Sequence, residues 1–167
     1  MTMSRRRTAF VLTAGTLAAL ATAPLVTAAE PAVKSGSASG AFSTHGKSAT
    51  LAYAAAFRDQ RDDKKPVVLV LSDKELPAST WKNGSDMSAY RREHQFLGVA
   101  FWIDEKNVVF RCEFYDGTSF PTSTTGVFDL KVARAAGSLT GTAKSTQAAA
   151  RLTDPVALDA TFNAPLK

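Results

Sequence analysis

Histidine and cysteine are nearly missing from this sequence, which holds two of the first and one of the second in 167 residues. General acid-base catalysis and nucleophilic triads most often rely on histidine, so His45 and His94 must carry whatever chemistry of that kind exists. Neither has a sequence-near partner that marks a site. The lone Cys112 excludes an internal disulfide and a zinc site built on paired cysteines. His-Glu-x-x-His and the phosphate-cradling glycine motifs are absent. Asp59, Asp62 and Asp63 lack the glycine and terminal glutamate of a calcium loop. Gly36-Ser37-Ala38-Ser39-Gly40 and Gly137-Ser138-Leu139-Thr140-Gly141 place serine wrongly for a nucleophile elbow. No catalytic residue, metal site or cofactor is therefore expected.

An excess of one charge sign is also lacking once the N-terminus is set aside. Arg5, Arg6 and Arg7 supply three of the five net positive charges. They precede an uncharged stretch over 8–29 rich in Ala, Leu, Val and Thr, which is the layout of a signal peptide with cleavage after Ala28 or Ala29. A retained anchor is the alternative, but Thr8, Thr13, Gly15, Thr16, Thr22 and Thr27 dilute the run. Ser4-Arg5-Arg6-Arg7 with Phe10 hints at a twin-arginine signal, although Phe10 sits one residue too far along. The expectation is an exported chain, periplasmic or secreted, with no stable membrane span after cleavage. Charges alternate in sign through Arg58-Asp59-Gln60-Arg61-Asp62-Asp63-Lys64-Lys65, which reads as a solvated loop and argues against nucleic acid as a partner.

What is present is two-residue alternation. After a flexible linker at 30–40, a single domain over 41–167 is expected, built of about eight mainly antiparallel strands as a β-sandwich or barrel. A short first strand at Ala41 to Thr44 leads through a turn at His45-Gly46-Lys47 to Leu51, Tyr53, Ala55 and Phe57, which would share one face. Val67 to Leu71 is apolar throughout, as for a strand covered on both sides. Phe96 to Ile103 and Val108 to Tyr115 form a hairpin across Asp104-Glu105-Lys106-Asn107, with Phe110, Cys112 and Phe114 on the core side. Gly126 to Ala133 pairs with Gly137 to Lys144. The last strand points Val156, Leu158, Ala160, Phe162 and Ala164 inward.

One excursion, Lys74 to Gln95, interrupts this pattern. Ser85 can cap a short helix on which Met87, Tyr90, Arg91 and His94 recur at spacings of three and four. Long loops in compact domains are often functional. Trp81, Tyr90, Arg91, Arg92 and His94 fall within it and are the candidate binding residues, since aromatics and arginines are over-represented in binding hot spots. The competing reading is that Trp81, Met87 and Tyr90 cover the fold while the arginines snorkel outward.

Three functions are weighed. The first is an exported, non-catalytic binding or interaction module for a protein, a glycan, a lipid headgroup or a small apolar ligand. The second is a hydrolase using Asp73, Glu75 and His94, although Ser72 and Asp73 also suit a strand end bonded to nearby amides. The third is a barrel carrying an apolar ligand against Phe101, Phe110, Phe114 and Phe128.

His45-Gly46-Lys47 at a first turn, Leu51-Ala52-Tyr53-Ala54, Val70-Leu71-Ser72-Asp73 with Leu76-Pro77, and the ending Asp159-Ala160-Thr161-Phe162-Asn163-Ala164-Pro165-Leu166 span nearly all of the expected domain. Together they resemble a loosely defined, uncharacterised family of small exported β-rich bacterial proteins. The resemblance implies a β-rich exported domain and supplies no site residues. The Lys74 to Gln95 segment has no counterpart in it.

Overall fold

A computed structural model describes residue 34 and residues 36–118 and 121–167. The expected leader lies outside these residues, as do residues 30–33 and 35 of the expected linker. Nine strands form one sheet: β1 (Ser37–Thr44), β2 (Lys47–Arg58), β3 (Val67–Ser72), β4 (Leu97–Ile103), β5 (Val109–Asp116), β6 (Thr122–Thr124), β7 (Phe128–Ala135), β8 (Ser138–Ser145) and β9 (Ala157–Pro165). Their order is β6-β5-β4-β3-β2-β1-β9-β8-β7, and every neighbouring pair is antiparallel. The sheet curls into a half-barrel whose edges, β6 and β7, are consecutive in the chain. Mainly antiparallel β was expected, and one curled sheet resolves the choice between sandwich and barrel. Among the described residues no helix is long and apolar enough to cross a membrane.

β1 starts four residues before the expected Ala41. Ser37 to Gly40 pair with Asn163 to Ala160 of β9, so this part of the expected linker is sheet. His45 and Gly46 then turn the chain with φ of 49° and 71°, the left-handed pair that suits a two-residue hairpin loop.

Two irregularities decide which side chains face inward. Between β1 and β2 the register shifts, from Gly40 opposite Leu51 to Ser37 opposite Tyr53. Leu51 therefore joins the inner core with Ala54 and Ala56, while Phe57 faces the other side and Tyr53 is exposed. The expected common face of Leu51, Tyr53, Ala55 and Phe57 does not form. A second shift sets Trp102 opposite Arg111 and Ile103 opposite Val109. It puts Phe110 outside while Cys112 and Phe114 stay inside. A single inserted residue reverses strand parity in this way.

The inner side of the curl holds the larger core, with Phe42, Leu51, Leu69, Leu71, Phe101 and Phe162 fully buried. Val67, Leu69 and Leu71 face this core and Val68 and Val70 face the opposite one, so β3 is covered on both sides as its composition requires. Leu158, Ala160, Phe162 and Ala164 all point inward as expected. Phe128 meets Phe101 edge-on at 5.7 Å and Phe114 at 6.5 Å, so it packs against both rings on the inner side. Phe110 lies on the other side of the sheet. Burial pushes the Cys112 thiol far above its ordinary value, with Glu113 adding to the effect.

The second core lies between the outer face of β2 to β5 and the excursion. A 3-10 turn at Ala78–Thr80 leads to α1 (Gly84–Glu93). The helix cap is Asn83, two residues before the expected Ser85. Its side chain accepts from the Ser85 and Asp86 amides at 2.9 and 3.3 Å, and Asp86 returns a bond to the Asn83 amide. That reciprocal box satisfies donors the first helical turn would otherwise leave open. Met87 of α1 packs with Trp81, Phe96, Trp102 and Tyr115 in this core.

Candidate functional site

α1 crosses β4 and β5 so that Ser85, Ser88 and Arg92, at helical spacings of three and four, look onto the outward residues Trp102, Arg111 and Glu113. Asp59 and Gly84 complete the wall of a polar cleft of about 350 Å³. The loop over 58–65 was expected to be solvated, yet Asp59 is turned inward and buried. Its carboxylate accepts from the Gly84 amide at 2.9 Å and the Arg61 amide at 3.1 Å, which ties the loop to the helix start.

Glu113 is the deepest charge here, at 5% exposure. Buried carboxylates persist only when paired and hydrogen-bonded. Glu113 meets both conditions, since Arg111 pairs with it and the Tyr115 hydroxyl donates to it at 2.8 Å. Burial and the neighbouring Glu113 carboxylate push the Tyr115 phenol well above its ordinary range, against smaller opposing effects of Arg91 and Arg111. The Arg111 guanidinium also lies 4.5 Å from the centre of the Trp102 ring. Both carboxylates of the cleft are thus occupied. Arg92, by contrast, is exposed and makes no hydrogen bond or ion pair among the described residues.

The sequence-predicted binding residues are divided by this arrangement. Trp81 is buried against Phe57 at 5.5 Å and Tyr90 at 5.7 Å, and His94 lies on Tyr90 at 4.4 Å between ring centres. Trp81 and Met87 cover the sheet, while Arg91 does not snorkel. Its guanidinium is buried 5.6 Å from the Tyr115 ring centre, and its Nη1 has no hydrogen-bond partner. Of the five, Arg92 alone lines the cleft. Arg111 and Glu113 were not singled out from sequence, and Asp59 was weighed only within the acidic cluster of the 58–65 loop. Arg111-x-Glu113-x-Tyr115 did carry a signal, as three polar-tipped residues on one face of a strand whose other face is apolar.

Asp73, Glu75 and His94 are not joined by any hydrogen bond among the described residues. Asp73 Oδ1 accepts from the Leu97 amide at 3.0 Å, and the Ser72 hydroxyl donates to the Lys74 carbonyl at 2.7 Å. Both side chains hold the end of β3 through backbone groups.

His45 is more engaged than a turn residue need be. Its Nδ1 is 3.0 Å from Asp116 at the end of β5, and its Nε2 is 3.4 Å from Asp154 in the β8–β9 connection. Lys47 Nζ donates to the Asp116 carbonyl at 2.7 Å. Three chain connections are braced together at this end of the curl. At Asp116, burial pushes the carboxyl up, but hydrogen bonds from Thr118 and His45 and the Lys47 charge outweigh it. The result lies below the ordinary value of 3.8. A depressed folded-state value contributes stability at pH above the unfolded value, and that contribution disappears as pH falls through the folded one. On acidification below about pH 4, wild type is therefore expected to lose more thermal stability than His45→Ala, which lacks one of the bonds holding the carboxyl down. Thermal melts across that acid limb check this, and parallel limbs would speak against the brace.

The fold and cleft define a class: an open, curled antiparallel sheet that presents a polar recess between its outer face and a single helix. No family model, curated protein or solved structure matches the chain.

Proposed function

We propose that this chain is an exported, non-catalytic binding module that holds a small oxyanion-bearing ligand, carboxylate or phosphate, between α1 and β4–β5. The observation that carries this reading is the charge left over in the cleft. Asp59 and Glu113 are consumed by protein donors, whereas Arg92 has no partner among the described residues and Arg111 spends only part of its fork on Glu113. Guanidinium forks match oxyanions in geometry and in charge. The Ser88 hydroxyl donates to Gly84 within the helix, which leaves its oxygen lone pairs for a ligand hydroxyl. The polar lining suits such a ligand better than an apolar one.

Titration with inorganic phosphate and with glucuronate, followed by amide and indole shifts, tests it. Saturable shifts at Ser85, Ser88 and the Trp102 indole are expected, and Arg92→Ala should weaken binding about tenfold, the effect of losing one charge-assisted hydrogen bond. Shifts that are absent, or that are unchanged in Arg92→Ala, would remove the cleft as the site.

A further inference from the structure

β7 is an edge strand of eight residues that pairs with β8 on one side and, among the described residues, with no strand on the other. The opposite edge, β6, is kept to three residues. Proteins blunt long edges because unpaired amides and carbonyls template pairing with another chain. β7 carries no proline and no bulge, and its pairing with β8 is regular from Phe128 to Ala135.

Its charges favour one partner. Asp129 and Lys131 point outward, are exposed, and make no ion pair or hydrogen bond among the described residues. Leu130 lies between them. An antiparallel copy of β7 centred on Leu130 sets Asp129 opposite Lys131 of the partner, Lys131 opposite its Asp129, and Phe128 opposite its Val132. Shifting the centre to Asp129 or Lys131 would set like charges face to face, which is destabilising. The outer surface already carries a row that this register continues. Asp159 of β9 pairs with Lys144 of β8 at 3.3 Å, and Lys144 lies opposite Asp129. A partner's Lys131 would be the next member, giving alternating sign across the junction.

We propose that the chain forms a two-fold dimer by antiparallel pairing of β7 with β7 of a second copy, in the register that sets Asp129 against Lys131. Such an interface is isologous and closes at two chains. It uses residues 128–132 and leaves Arg134 free to bond the Asp104 carbonyl and Asn107 at the far end of the strand.

Sedimentation velocity of the folded domain over a range of concentrations tests this, with circular dichroism confirming that each variant remains folded. Wild type is expected to sediment as a dimer. Asp129→Lys and Lys131→Asp should each weaken dimerisation on the order of tenfold or more, because two attractive cross-strand pairs become repulsive. Mixing the two variants should restore a heterodimer, since each then faces the opposite charge. A wild-type monomer at every concentration overturns the proposal. So does a dimer indifferent to either substitution, or a mixture that stays monomeric.

Discussion

Phe101→Ala is expected to lower the unfolding free energy by about 4 kcal/mol, read from urea denaturation, because it removes a fully buried ring that cannot be replaced by collapse. Phe101 stands on β4 opposite Leu69 of β3 and Cys112 of β5, and both ladders hold its backbone in place. Its ring is also the surface against which Phe128 packs edge-on, so the vacancy opens beneath the first residue of an edge strand. Phe110→Ala gives the contrast. Phe110 is half-buried against the outer core, and its loss is expected to remove about 1 kcal/mol, the transfer value of a partly covered ring. Equal losses at the two positions would contradict the bulge that separates them.

That pair of phenylalanines also marks where the sequence stops being readable. Alternation identified β9 residue by residue, and the unbroken apolar run of β3 correctly implied cover on both sides, because each depends on side-chain period and burial alone. Phe110 was expected on the core side and Phe57 on the same face as Leu51, and both expectations fail because one inserted residue in a ladder shifts side-chain parity, which nothing in local composition marks. The cleft was hidden for a different reason. Arg111 and Glu113 look like ordinary outward residues of a strand until a helix supplied by residues 84–93 closes over them. Arg91 was expected to reach water, but its position on α1 beside Met87 turns it onto Tyr115 instead. The excursion supplies Gly84, Ser85, Ser88 and Arg92 to the cleft, while the strands beneath it supply Trp102, Arg111 and Glu113.

Gly98→Ala is expected to be nearly as damaging as Phe101→Ala, through atoms added instead of removed. Gly98 is buried in β4 and paired with Ser72 of β3 on one side and Tyr115 of β5 on the other. A Cβ built on its backbone overlaps the Leu71 carbonyl oxygen and comes within 3.1 Å of Ser72 Cα. These are main-chain atoms, so no change of rotamer relieves the overlap, and β3 and β4 must separate. β4 has nowhere to go: β5 holds it from the far side, and there Tyr115 is fixed by Glu113 and by Phe96, whose ring centre is 5.0 Å away. The expected loss is about 3 kcal/mol or somewhat more, since overpacking that displaces backbone lies at the upper end of its range. For a domain of this size that corresponds to a melting temperature lower by about 10 °C. The damage should also be local before it is global, because separation begins where the added methyl presses. Hydrogen exchange should accelerate first at residues 70–72 and 97–99, at the end of β3 where Asp73 and Leu97 exchange their bonds. Exchange that rises evenly over the whole sheet, or a melting temperature equal to wild type, would mean that the two strands can part there without strain.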